Sequence, residues 1–592
     1  MGRTRVIIAI SSMLVGAWGC SEGGGAAPPP PTANTSVTCI PGRAIACACP
    51  DGSSGVSACR ADGSGAGDCS CANPNGSGAI QTFPPSTVPP SAVIGQSSAE
   101  FPQQTQEFPE GVGLDQSPMA GQPSVDVTMP APQMPTETPE LDRRARDIRI
   151  SEIAVYQPVK VSLVKDGQSV VERNAPVIVD KQAFLRISVE PLSGFRPREI
   201  EAQLELSTAE EASEPITVTQ MISGPSEDSE LDSTLNIDIP AEAMEPGLRY
   251  AVTLNEVDTP ADGTVDPSSR YPESELTVAL LGSRSAGPLR VMIVPYRYTA
   301  DGSNRLPELS DEQLELYKSE LYDRYPVSEI EFVMHDPVDY PRAVNPTTGW
   351  EAWLDYHCRL RADENTDPKL LYYGLMSPRD SLRRYGGGII GVSYLPGPSM
   401  NFGRCSVGVG FPGRIASTTM AHELGHSLGL PHAPCGVDGP AFPYEGAKVG
   451  VWGYNRNAQP GREMVDPDDA FDLMSYCDPN FISDYNFQKL FERVRYLNLQ
   501  FSRTDGGEAQ ELIQVMQFAD GHYEITGRVT FTADPGDEQA QTLAFRDAAG
   551  QPLGEAKGYF LPASLEGAGM WFVPDIGAAS VILEGETEVL LP

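Results

Sequence analysis

The sequence predicts a multidomain chain. An α/β domain is flanked by β-sandwich-like domains and preceded by a small Cys-rich module and a disordered stalk. Three observations lead there. The chain has 592 residues, more than one compact core organises. Its composition shifts near residues 37, 74, 146, 284 and 506. Period-two apolar alternation gives way to a β-α-β-α-β-β order and then returns.

At the N-terminus, Arg3 and Arg5 precede a short apolar run over residues 6–18. That run is too short to span a bilayer and reads as an export signal over residues 1–19. It ends in Leu14-Val15-Gly16-Ala17-Trp18-Gly19-Cys20, which resembles a bacterial lipoprotein cleavage site. Cys20 would then be the lipidated first residue and the only membrane attachment; an ordinary signal peptide cut nearby is the alternative. Ser21, where Asp would signal retention, implies by the same resemblance the outer membrane or cell surface. Residues 20–36, rich in Gly, Ala and Pro, form a tether. Residues 37–73 hold Cys39, Cys47, Cys49, Cys59, Cys69 and Cys71 amid Gly, Ser and Asp. Such a segment lacks an apolar core, so disulfides must stabilise it. Its C-x-C pairs lack zinc-knuckle spacing and no His is near. Residues 74–145 are dense in Pro, Ser, Gln and Thr and predict a disordered linker.

Residues 146–283 predict a β-sandwich. Residues 159–164, 183–189 and 202–206 are strands with turn signals such as Asp166-Gly167 between them. Residues 284–505 predict the α/β domain. Strands at 289–294, 330–334, 370–376 and 388–394 alternate with helices at 310–325, N-capped by Ser310, and 350–361. Residues 506–592 predict a C-terminal β domain, with alternation over residues 522–531.

The formal charge is −38. Nucleic acid and anionic lipid would both be repelled. Solubility outside the cell accounts for the acidity. Bound Ca2+ is the alternative, with Asp466, Asp468 and Asp469 as a possible cluster or simply a solvated loop. Setting Cys20 aside from the 11 Cys leaves an even number, and export permits disulfides.

The segment His422-Glu423-Leu424-Gly425-His426-Ser427-Leu428-Gly429-Leu430-Pro431-His432 fits H-E-x-x-H-x-x-G-x-x-H. On a helix, residues four apart share a face, so His422 and His426 can point at one ion. Glu423 is one step round the helix and can reach a water on that ion without binding it. Gly429 can take the left-handed conformation that ends a helix. Pro431 prevents resumption, and His432 returns as a third ligand. Three His and a water make a tetrahedral zinc site with an open position. Any single His is most simply a buried core residue. A chance match to the whole pattern is on the order of 10⁻⁶ to 10⁻⁵. Downstream, Asp472-Leu473-Met474-Ser475-Tyr476-Cys477 places a Met in a tight turn.

Together the two motifs resemble the metzincin zinc metallopeptidases over about residues 286–503. The closest look is to bacterial lipoprotein and mucin-cleaving metzincins, or to pappalysin-like ones. Ala433 stands where astacins have Glu, matrixins Ser and adamalysins Asp. The resemblance implies one catalytic Zn2+ on His422, His426 and His432, with Glu423 as general base. It puts Met474 beneath the metal and lets Tyr476 donate to the oxyanion. It implies a secreted or surface-anchored metalloendopeptidase acting on extracellular proteins or glycoproteins. The segments after His432 and Met474 would converge under one metal. Cys435 is then expected to pair with Cys477 and, by elimination, Cys358 with Cys405, one of three connectivities. An extended substrate would lie along an edge strand at residues 387–392, whose glycines admit another backbone; an ordinary internal strand is the alternative. Two other readings stay open. A non-catalytic surface binding lipoprotein would work through its β domains, and the intact Glu423 speaks against it. A zinc exopeptidase would need a charged pocket for a chain terminus.

Overall fold

Alternating side chains build the first β region. Along Arg198–Ser207, Ile200, Ala202, Leu204 and Leu206 are buried while Glu199, Glu201, Gln203 and Glu205 turn towards solvent. The computed structural model describes residues 44–48, 54–58, 143–258, 263–364, 367–500, 509–531, 535–585 and 587–592. The chain divides into two units, residues 1–72 and 73–592. In the first, Ala44–Ala48 and Ser54–Ala58 pair as an antiparallel hairpin. The expected export signal, Cys20, the tether, the rest of the Cys-rich module and the linker through residue 142 lie outside the described residues.

The second unit is mostly β, with several sheets and few helices. One five-stranded sheet runs Gln168–Ser169, Lys160–Lys165, Ile148–Tyr156, Ala183–Pro191, Leu235–Ile239. Another runs Arg270–Tyr271, Arg249–Glu256, Arg198–Ser207, Ile216–Ile222, with Ala279–Leu280 also on Arg249–Glu256. All their pairings are antiparallel. Their inward residues share one buried cluster, which continues into the helices of the next region.

That next region is a mixed sheet in the order Ile330–Met334, Leu289–Tyr298, Leu371–Met376, Cys405–Val409, Gly391–Ser393. The first four strands are mutually parallel and Gly391–Ser393 is an antiparallel edge. Parallel neighbours need crossovers, supplied by helices α1 (Asp311–Tyr322) and α2 (Trp350–Glu364). The short α3 (Leu382–Tyr385) precedes the edge strand, and α4 (Arg414–Ser427) and α5 (Asp484–Gln500) complete the helices. Leu371–Met376 is buried throughout, as a strand covered on both faces must be. Its alternate residues serve two cores. Leu371, Tyr373 and Leu375 join α1, α4 and α5. Tyr372 and Met376 join α2 and a third β region.

The third region is one seven-stranded antiparallel sheet, a half-barrel, in the order Tyr523–Phe531, Gln510–Gln517, Gly569–Pro574, Pro552–Pro562, Ala540–Arg546, Ser580–Leu583, Thr587–Leu590. It presents Leu512, Met516, Tyr559, Leu561, Met570 and Phe572 to the α/β sheet. Ile513, Val515, Trp571, Val573 and Val581 form its own core. No helix among the described residues is long and apolar enough to cross a membrane.

Three sequence expectations need correction. Ser310 sits at the N-cap of α1, but its side chain makes no capping bond. That helix stops at Tyr322 rather than Tyr325, because Pro326 disfavours helical backbone in the residue before it. The expected strand at 388–394 is a strand only over Gly391–Ser393. Gly386, Gly387 and Gly388 all have φ near +90° and form a turn, where Ile389 N donates to Pro346 O at 2.9 Å.

Candidate metal centre

Packing, rather than intrinsic propensity, makes α4 a helix. Its first turns are Ser and Thr, whose hydroxyls bond back to their own helix: Ser417 Oγ to Arg414 O at 2.9 Å and Thr419 Oγ1 to Ile415 O at 2.7 Å. Met420, Ala421 and Leu424 are buried, and Tyr325 Oη donates to Ala421 O at 2.5 Å. The helix ends in a Schellman motif. Gly429 N donates to His426 O at 2.7 Å, Leu430 N to Gly425 O at 3.0 Å, and Gly429 has φ +84°. A Cβ at Gly429 would lie 2.8 Å from Pro396 O and against Arg493. The chain then reverses and returns His432 to the helix.

The three imidazoles converge. His426 Nε2 lies 3.0 Å from His422 Nε2 and 3.1 Å from His432 Nε2. His422 Nδ1 faces Leu473 O at 2.8 Å and His426 Nδ1 faces Leu430 O at 2.7 Å. A carbonyl only accepts, so both Nδ1 atoms carry the proton and both Nε2 atoms present lone pairs. Burial keeps the rings neutral. It lowers His422 to about 4 and His432 to about 3, and holds His426 well below its ordinary value. Lone pairs facing at 3.0 Å repel unless a cation lies among them. Tetrahedral zinc–imidazole bonds would separate the nitrogens by about 3.3 Å. The set therefore fits a divalent cation, and among the described residues it is the one such group of His, Cys, Asp or Glu. Asp466, Asp468 and Asp469 are not brought together as ligands. They form a turn in which Asp466 accepts from the backbone of Asp468 at 2.8 Å and of Asp469 at 3.2 Å.

Glu423 is 5% exposed, and its Oε2 has no hydrogen-bond partner. Burial pushes its carboxyl well above the usual range, and the nearby Ser564 hydroxyl pulls it partly back. Gly391 passes directly over it. A Cβ there would lie 2.6 Å from Glu423 Oε1 and 2.7 Å from Thr419 Cγ2, so the close approach requires glycine.

Met474 is fully buried beneath α4, where a Cβ at Gly425 would lie 2.6 Å from its sulfur. Its turn is organised by Asp472, a buried carboxylate that accepts from Met474 N at 2.8 Å, Ser483 N at 3.0 Å and Asn486 Nδ2 at 2.7 Å. Met474 O in turn accepts from Ala433 N at 2.9 Å, joining the turn to the ligand segment. Cys435 and Cys477 form a disulfide across the same two segments, and Cys358 and Cys405 form another between α2 and the sheet. Tyr476 is 51% exposed, with its ring centroid 5.1 Å from that of His432 and 5.8 Å from that of His422.

Residues 401–496 match the family model described as Peptidase M66. The match supports a peptidase function, and it spans α4, His432 and the Met474 turn. No curated protein matches the chain. Among solved structures, a candidate beta-galactosidase from Bacteroides fragilis is 12% identical, with 41% of this chain and 35% of that chain covered and a TM-score of 0.13. This chain thus spans about a third of that structure; at that score the likeness says nothing about fold or function.

Sequence reasoning missed three contributors. Asp472 stood inside a recognised motif, but its role as the turn's acceptor depends on Ser483 and Asn486. The contact of Gly391 with Glu423 is a tertiary approach. Ser564 lies far from both motifs and carries no local signal.

Proposed function

We propose that this chain is a zinc-dependent metalloendopeptidase of the metzincin type. It is exported, anchored at the outer membrane or cell surface through Cys20, and cleaves extracellular proteins or glycoproteins. The observation that carries this reading is the convergence of three neutral imidazoles, with the buried Glu423 at the next helical position. A six-stranded sheet of parallel strands, including Val338–Tyr340 on Leu289–Tyr298, with one antiparallel edge supports the metzincin comparison, and the Peptidase M66 match supports peptide hydrolysis.

His422, His426 and His432 would hold the zinc through Nε2. When bound, zinc supplies Lewis acidity and brings the pKa of a water towards neutrality. Glu423 takes a proton from the attacking water and hands it to the departing amine. Tyr476 donates its hydroxyl hydrogen to the oxygen that gains charge. Gly391, at the sheet edge above Glu423, pairs with the backbone of the extended substrate.

The test measures metal content and cleavage of denatured proteins side by side. His→Ala at any of the three positions should lose zinc and activity together. Glu423→Gln should keep about one zinc and lose roughly 10²–10⁴-fold in hydrolysis. If the wild type binds zinc but cleaves no better than Glu423→Gln, the peptidase reading fails and a non-catalytic binding protein replaces it.

A further inference from the structure

The edge strand beside Glu423 is already partly occupied by the chain itself. Residues 562–564, where the half-barrel turns between Pro552–Pro562 and Gly569–Pro574, run antiparallel to residues 393–395. Leu395 N donates to Pro562 O at 2.9 Å and Ser564 N to Ser393 O at 2.8 Å. Ser393 N donates to Ser564 Oγ at 3.1 Å, and Gln539 Nε2 to Leu395 O at 3.0 Å. The wall is rigidly backed. Leu561 packs against Gly403, where a Cβ would lie 2.9 Å from its Cδ2, and Phe572 meets Phe402 edge-on at 5.2 Å.

Strand geometry then fixes what remains open. Val409 N donates to Ile390 O on the inner side. By the antiparallel alternation, Gly391 and Ser393 therefore turn their N–H and C=O outward. Those of Ser393 are taken by Ser564. Those of Gly391 pair with no described residue and lie over the catalytic carboxylate. A peptide continuing the same rank antiparallel to the edge would have its N-terminal side abutting Ser564.

Resting on the peptidase reading, we propose that residues 562–564 are a built-in strand that closes one end of the substrate groove. Substrate pairs with Gly391 alone, because before it Ile389 N donates to Pro346 O at 2.9 Å and Ile389 O accepts from Tyr385 Oη at 2.6 Å. Its chain on the N-terminal side of the scissile bond must leave the sheet within a residue or two. Ser564 is thereby a specificity-determining residue contributed by the C-terminal sheet.

The experiment uses the full zinc-loaded chain and two series of peptide hydroxamates. A hydroxamate at the peptide's C-terminus anchors it so that its residues reach only the N-terminal side of the groove. A hydroxamate at the N-terminus sends them only to the other side. Each added residue that pairs with the edge should tighten binding about two- to tenfold. Only the residue opposite Gly391 pairs with the edge, so the C-terminal-hydroxamate series should stop gaining after its first or second residue. Ser564→Pro, which removes the paired N–H and the hydroxyl, should restore gains to the stopped series. In the wild type, the Ser564 amide should stay protected from hydrogen exchange when peptide saturates the groove. Continued gains along the C-terminal-hydroxamate series of the wild type, or loss of that protection on binding, would overturn the proposal, the latter by making the segment a displaceable plug. Zinc is assayed in the same samples. Zinc present without any peptide affinity sinks the groove assignment, whereas a chain that takes no zinc sinks the peptidase reading and the groove with it.

Discussion

Replacing Asp472 tests whether one buried carboxylate holds the turn beneath the three imidazoles. It accepts three hydrogen bonds, from Met474 N, Asn486 Nδ2 and Ser483 N, and is fully buried. Asp472→Ala leaves three buried donors unpaired, each worth about 1–3 kcal/mol. Water entering the vacated space relieves part of that, so the expected loss is about 3–5 kcal/mol. Asp472→Asn keeps one oxygen for Met474 and Asn486 and sets its amide against Ser483 N–H. That is one penalty instead of three, about 1–3 kcal/mol. The turn also places Leu473 O on His422 Nδ1, so Asp472→Ala should weaken metal binding by about 10–100-fold, as loss of a ligand's outer partner does. Guanidinium unfolding of the metal-free protein reads stability, and competition with a chelator reads metal affinity. An Asn variant as damaging as Ala, or an Ala variant within about 1 kcal/mol of wild type, would refute the bond count. Unchanged metal affinity would refute the link from turn to ligand.

Other perturbations follow from the same geometry. Gly429→Ala forces a side chain into a left-handed position against Pro396 O; melting should show a loss of about 1–3 kcal/mol with reduced zinc content. Tyr476→Phe should lower kcat by about 10²–10³-fold if its hydroxyl serves the oxyanion, with zinc content unchanged; equal kcat would remove Tyr476 from the chemistry. Removing the Cys435–Cys477 bridge by a double Ala substitution should cost about 2–5 kcal/mol, read by melting under non-reducing conditions. The metal-free protein should lose stability as pH falls from about 6.5 towards 4. In that window the unfolded chain protonates His422, His426 and His432, while burial keeps them neutral in the folded state. Glu423, held well above its ordinary value, takes up a proton when folded and offsets one of the three. Denaturant midpoints across pH would show a net fall, and a flat profile would contradict it.

The convergence of the three His was legible because helical spacing and a helix stop are local properties, written in the run from His422 to His432. The strands were legible wherever one face met solvent, as in Arg198–Ser207, because alternation then shows in the sequence. Leu371–Met376, buried on both faces, has no alternation, so sequence placed it without saying which residue served which core. Edge geometry was legible only roughly. The glycines at 386–388 mark a turn through positive φ, whereas Gly391 is glycine because Glu423 lies beneath it. Nothing local distinguishes those two reasons. Asp472 and Ser564 act through partners remote in sequence, and such pairings are decided by the folded chain alone.

The half-barrel shares its core with the α/β sheet through Tyr394, Phe402, Leu561 and Phe572, and this has a consequence for biosynthesis. A chain emerges from N- to C-terminus, and its parts fold in roughly that order. His422, Glu423, His426 and His432 are thus translated well before the segment that walls their cleft. Until the half-barrel docks, the α/β sheet keeps an uncovered apolar face, and the edge beside Glu423 is open along its whole length. A nascent molecule would therefore be a poorly ordered version of the finished one. Completion of the C-terminal sheet thus couples the final shape of the cleft to the end of synthesis.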